Sequence, residues 1–163
     1  MDKIYFAAIK DGVKIPTKRD EDAGYDIYAN FDEPYIKIKP NETVKIPTGI
    51  ISAFPEGYVA IFKERGSTGT KGIGQRAGVV DSGYRGEWLV VITNHNRNSM
   101  YIAKQDAIIP NLNDFEIIYP YEKAICQVVF VPVACLESVE VSPDEVRGFT
   151  SERGEGKLGS SRK

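Results

Sequence analysis

The chain has 163 residues, 42% of them hydrophobic, which suits one domain with a buried core. Its formal net charge of −2 argues against nucleic acid as the main partner, since domains that grip a phosphate backbone carry a basic excess; no stable nucleic-acid binding is expected. Two cysteines (Cys126 and Cys135) and one histidine (His95) lack the spacing of a zinc site, and no apolar run reaches the roughly 18 residues of a membrane span.

In chain order, residues 3–9 read as a first strand, and residues 10–21 as a polar loop punctuated by Gly12 and Pro16. DAGYDIYA, residues 22–29, reads as a loop entering a strand. PYIKIKP, residues 34–40, has strict period two, with Ile36 and Ile38 opposed to Tyr35, Lys37 and Lys39. Residues 43–54 give a strand, an interruption at Pro47 and a β-branched run. Residues 55–66 give a turn and a strand that ends in Lys63, Glu64 and Arg65. The glycine-rich stretch 62–72 reads as a loop with no helix after it. AGVVDSGYRGE, residues 77–87, reads as a hairpin bend between Val79–Val80 and a strand from Trp88. Residues 97–113 form an excursion whose YIAKQDAII piece fits a helical turn or a strand. Two strands around Pro120 and a last one in LESVEV, residues 136–141, complete the set.

Short strands between Pro, Gly and Asn, without a segment of period 3.6, predict an all-β sandwich or jelly roll over residues 1–141. Residues 142–163 hold too little apolar surface to fold alone and are expected to be a flexible arm. The N-terminus is too short in apolar length for a signal peptide. Both cysteines sit among apolar neighbours and are expected as buried thiols, in a cytoplasmic protein.

Five stretches could carry chemistry. Asp81 at a strand end could polarise a water, or cap its own turn, with Tyr84 beside it as a cover or a packing ring. Arg85 and Glu87 suggest a structural ion pair. Arg65, Gly66 and Ser67 open a loop whose amides and hydroxyl could hold phosphate, or merely solvate a turn. Asp26, with Asp22, could hold a metal-bound water or tie a turn. Gln127 is an amide in an apolar strand and must find partners. RGEGKLGSS, residues 153–161, reads as a lid that orders on phosphate or as a solubilising tail.

Together, AGYDIYA (23–29), RGSTG (65–69), AGVVDSGYRGE (77–87), EKAICQ (122–127) and RGEGKLGSS (153–161) resemble the five ordered motifs of the trimeric dUTPases, bacterial or phage type. The resemblance implies a jelly-roll homotrimer with sites shared between subunits. It implies hydrolysis of dUTP to dUMP and pyrophosphate with Mg²⁺, which supplies dUMP for thymidylate synthesis and keeps uracil out of DNA. Asp81 would activate the water that attacks the α-phosphorus. Tyr84 would cover the deoxyribose, and the main chain at Gly78, Val79 and Val80 would read the uracil edge. Arg65, Gly66, Ser67 and Gln127 would hold phosphates. Arg153, Ser160 and Ser161 would join them from a neighbouring subunit's arm. Asp26 would be an outer-sphere contact to the metal, which has no direct protein ligand.

This chain departs from the family pattern in three places. Leu158 stands where the family has a base-stacking Phe, Gly66 rather than Ser follows Arg65, and residues 97–113 exceed the usual connection. Met100, Tyr101, Ile102, Ile108 and Ile109 of that segment either pack on the sheet or meet a protein partner. The competing readings are a dUTPase-like regulatory protein that uses 97–113, a dCTP deaminase-like relative, and a plain β-sandwich module.

Overall fold

The structure is a computed structural model and describes residues 3–155. Its strands are β1 (Tyr5–Ala8), β2 (Tyr25–Ile27), β3 (Tyr35–Ile38), β4 (Thr43–Pro47), β5 (Ile50–Ala53), β6 (Tyr58–Lys63), β7 (Ile73–Arg76), β8 (Val79–Asp81), β9 (Leu89–Asn94), β10 (Met100–Ala103), β11 (Ile117–Pro120) and β12 (Cys126–Pro132). Two short helices, α1 (Gly66–Gly69) and α2 (Pro143–Gly148), accompany them, so the chain is all-β as expected.

The strands form four small sheets. One has the order β2-β12-β6-β8, a second β4-β9-β7, a third β11-β10-β3, and β1 pairs with β5. Alternation decides which side chains go inward. Ile27, Phe62, Cys126 and Val128 of the first sheet are buried, while their neighbours Asp26, Lys63 and Gln127 face away. Trp88 centres the core, edge-on to Phe6 at 5.6 Å and to Phe62 at 5.3 Å. Asn94 is fully buried, and its amide donates to the carbonyls of Ile38 and Asn98, which satisfies it.

Four expectations need correction. The 77–87 stretch is not a hairpin: β8 pairs with β6, whereas β9 pairs with β4 and β7, so residues 82–88 carry the chain from one sheet to another. The expected strand at 136–141 has no ladder partner among the described residues, and its Leu136 and Val139 are exposed. Residues 66–69 form a turn of helix, because Thr68 Oγ1 accepts the Arg65 amide at 3.0 Å and donates to the Arg65 carbonyl at 3.1 Å. Cys126 is buried as expected, but Cys135 is exposed.

The segment 97–113 splits into two parts. Its β10 is buried at all four positions and pairs antiparallel with β3. On its other side β10 pairs parallel with β11, and a parallel neighbour needs a crossover of about a dozen residues. The length of 104–116 is that crossover. Residues 142–148 are also more ordered than a featureless tail: Ser142 Oγ caps α2 by accepting the Glu145 amide at 3.2 Å.

Candidate active site

Two clefts hold predicted site residues, one around Arg65 beyond the end of β6 and one along β8. The larger, of about 930 Å³, is lined by Asp26, Arg65, Gly66, Ser67 and Gln127, together with Lys18, Arg19, Asp22 and Lys123. Register sets two of its groups side by side: Gln127 lies opposite Asp26 on β2, and opposite Lys63 on β6. Arg65 follows at the end of β6. Its Nε lies 2.8 Å from Asp26 Oδ1, and it donates from Nη2 to Asp26 Oδ2 at 3.3 Å. It also donates to Ser67 Oγ and to the Ala124 carbonyl, both at 3.4 Å. A half-buried guanidinium held by a fork of this kind is aimed, and the same fork geometry suits a phosphate.

Gln127 donates from Nε2 to the Glu64 carbonyl at 2.8 Å, which fixes its amide plane. A Cβ on Gly24 would lie 2.6 Å from Gln127 Oε1, so the glycine in AGYD is what lets that amide fit. On the rim, Arg19 and Asp22 form a two-point ion pair with both contacts at 2.9 Å. That hydrogen bond holds the Asp22 carboxyl below the usual carboxylate range. The cationic rim of Lys18, Arg19 and Lys123 was not singled out from the sequence. A basic residue in a polar loop carries no mark of where the loop will lie; only the fold brings 17–19 beside 122–124.

The smaller cleft, of about 190 Å³, is lined by Phe62, Ala77, Val79, Val80, Asp81, Tyr84, Glu87, Trp88 and Leu89. β8 is the edge strand of its sheet. The Phe62 amide donates to the Gly78 carbonyl at 2.7 Å, which makes positions 62 and 78 a hydrogen-bonded pair. Antiparallel alternation then turns the N–H and C=O of Val79 outward, away from β6. A Cβ on Gly78 would lie 3.1 Å from the Phe62 carbonyl, so a side chain there would press on the ladder. Ala77 just before it has φ of 44°, a left-handed conformation that costs a non-glycine residue about 1 kcal/mol or more.

Asp81 ends β8 and is exposed. Tyr84 donates from its hydroxyl to the Glu87 carbonyl at 3.1 Å, and its ring lies over Gly86. The expected Arg85–Glu87 ion pair is absent. Arg85 instead donates to the carbonyls of Ser82 at 2.6 Å and Tyr84 at 2.9 Å, because the tight crossing leaves those carbonyls nearer than the carboxylate. Glu87 turns to the Gly49 amide at 2.8 Å and to Lys10 at 3.7 Å.

The predicted site residues are thus brought together in two groups, not one. Arg153 is exposed beyond α2 and lines neither cleft. Leu158, Ser160 and Ser161 lie outside the described residues. Among the described residues no group of three or more His, Cys, Asp or Glu side chains could hold a metal ion. No helix among them is long and apolar enough to cross a membrane.

Residues 11–109 match the model of the dUTPase family. The chain is 34% identical over 143 residues to the deoxyuridine 5'-triphosphate nucleotidohydrolase of Gloeobacter violaceus, covering 86% of this chain and 82% of the relative. It is also 34% identical to the enzyme of that name from Fusobacterium nucleatum, covering 86% and 92%. A dUTPase of Staphylococcus bacteriophage 80alpha, solved with dUPNHPP, superposes with a TM-score of 0.76 over 98% of both chains, at 24% identity. That last likeness is one of fold, and the two relatives and the family model carry the assignment: the chain belongs to the dUTPase family.

Proposed function

We propose that this chain hydrolyses dUTP to dUMP and pyrophosphate as a homotrimer whose sites are shared between copies. The observation that carries the shared site is the separation of its two halves. Asp81 pairs with Val59 near the start of β6, while Arg65 lies beyond its far end. At about 3.3 Å per residue the two are on the order of 15–20 Å apart along the strand, too far for one chain to hold and attack the same α-phosphate. A second copy must bring its β8 edge to the Arg65 cleft. The exposed apolar side chains of Val133, Leu136, Val139 and Phe149, with no sheet of their own chain to cover them, support association between copies.

In the assembled site the outward main chain of Val79, flanked by Gly78 and Val80, sorts the base. Fixed donors and acceptors reject a wrong edge by leaving buried polar groups unpaired. Tyr84 covers the sugar face. Arg65, the amides of Gly66 and Ser67, the Ser67 hydroxyl and Gln127 hold the phosphate chain, and the Arg65 fork passes from Asp26 to phosphate oxygen. Asp81 accepts the proton of the attacking water as the P–O bond to the leaving pyrophosphate breaks. Arg153, Ser160 and Ser161 close over the γ-phosphate from the arm, with Leu158 over the base. Mg²⁺ suits this donor set, because it is held through substrate phosphates and water and needs few protein carboxylates. Asp26 would contact it through a water, and bound at the phosphates it would supply charge neutralisation there.

Pyrophosphate release from dUTP and dCTP tests the reading. Turnover of dUTP and not dCTP is expected, with the rate of Asp81→Asn lowered by about 100-fold or more. A wild-type chain inert to dUTP sinks it, and an unaffected Asp81→Asn sinks the base assignment.

A second reading has its own observation. In the crossover, Ile108 is 86% and Phe115 77% exposed, with Leu112 between them also exposed. Ile108 and Leu112 give the 97–113 segment an exposed apolar face that the core does not use, and Phe115 extends it just beyond. Replacing 105–113 by a polar linker is expected to leave dUTP turnover intact and abolish any such contact.

A further inference from the structure

We infer that Glu87 is the positioning residue that sets Tyr84 against the sugar, acting as a clamp between the 82–88 crossing and the β4–β5 turn; this rests on the reading of Tyr84 as the sugar cover. The crossing follows Asp81 directly, bears Tyr84 and belongs to no strand, so something other than a ladder must hold it. Three contacts do. Tyr84 donates from its hydroxyl to the Glu87 carbonyl at 3.1 Å, which ties the ring to the main chain of Glu87. The Glu87 carboxylate accepts the Gly49 amide at 2.8 Å and lies 3.7 Å from Lys10 Nζ, which ties that main chain to the neighbouring sheet. The Trp88 amide donates to the Ile50 carbonyl at 2.9 Å and closes the anchor one residue on.

The acceptor's partner is itself fixed. Gly49 has φ of 68°, its carbonyl accepts the Ile9 amide at 2.8 Å, and a Cβ there would run into Val13 Cγ2. A glycine is therefore required at the turn, and its amide points at Glu87 from a place that cannot relax. Within the crossing, Gly86 has no Cβ to obstruct the Tyr84 ring, which a Cβ would meet at 2.6 Å or closer. The chain of contacts runs from Gly49 through Glu87 to Tyr84. Truncating Glu87 leaves its carbonyl in place for the Tyr84 hydroxyl but frees the main chain that bears it from Gly49, which loosens Tyr84 while Asp81 stays on its ladder with Val59. The consequence falls on discrimination against a ribonucleotide more than on the rate of hydrolysis. A ring free to move back tolerates a 2′-hydroxyl.

The test compares kcat and KM for dUTP and UTP in the wild type, Glu87→Ala and Glu87→Gln, with amide exchange at Gly49 measured by NMR in each. Glu87→Ala is expected to lower the dUTP-to-UTP ratio of kcat/KM by about tenfold, mainly through KM, with faster exchange at Gly49. Glu87→Gln keeps an oxygen acceptor and is expected to restore both the ratio and the protection. A folded Glu87→Ala that keeps the wild-type ratio overturns the clamp, as does a Glu87→Gln as impaired as the alanine. If the wild type itself fails to hydrolyse dUTP, the functional reading falls; Gly49 exchange unchanged in Glu87→Ala then overturns the clamp as well.

Discussion

The two thiols give the residue scale its plainest contrast. Cys126 is buried on β12, and loss of solvent pushes its thiol well above the usual range, so it stays protonated and unreactive. Cys135 follows β12 and is exposed in the single chain. A thiol reagent at neutral pH is expected to leave Cys126 unlabelled in the native protein and to label it only after denaturation. Prompt labelling of Cys126 would place it nearer solvent than the fold allows. Glu64 offers a pH test. The amide of Gln75 donates to its carboxylate at 2.8 Å and holds its pKa below the ordinary value of 4.5. A depressed folded value stabilises the fold above pH 4.5, and that contribution fades as pH falls through the folded pKa. The urea midpoint of the wild type is expected to exceed that of Glu64→Gln at pH 7 and to converge on it in acid. A gap that is constant with pH would contradict the assignment.

At the scale of elements, period and punctuation placed most strands but could not pair them. PYIKIKP shows its strand in its own alternation, and β3 lies there. Asp81 and Trp88 are seven positions apart in sequence and read as two arms of one bend, yet they enter different sheets. No local property of a turn distinguishes a hairpin from a crossing; the partners β4, β6 and β7 decide it. For the same reason YIAKQDAII was ambiguous: an apolar run buried on both faces has no period, and β10 is such a run. The division of 97–113 into a core strand and an exposed crossover can be measured. Ile102→Ala, at 1% exposure, is expected to cost about 2–4 kcal/mol, and Ile108→Ala, at 86%, to stay within about 0.5 kcal/mol. Equal costs would return the whole segment to one class.

At the scale of the molecule, the motifs were legible because each is a chemical necessity compressed into a few residues. Gly24 makes room for Gln127, Gly78 lets an edge strand present its main chain, and Arg65 carries a forked charge. Their convergence was not legible, since it depends on distances that no spacing encodes. A single chain sets Asp81 opposite Val59, near the start of β6, and Arg65 beyond its end, which is the ground for the proposed shared site. Mixing two inactive variants tests it most directly. Arg65→Ala disables the phosphate half and Asp81→Asn the nucleoside half, each in every copy. Co-refolded in equal amounts, random trimers place an intact Arg65 beside another copy's intact Asp81 in about a quarter of the sites. Recovery of about a quarter of wild-type dUTP hydrolysis is the predicted result. A mixture no more active than its two components would contradict the shared site.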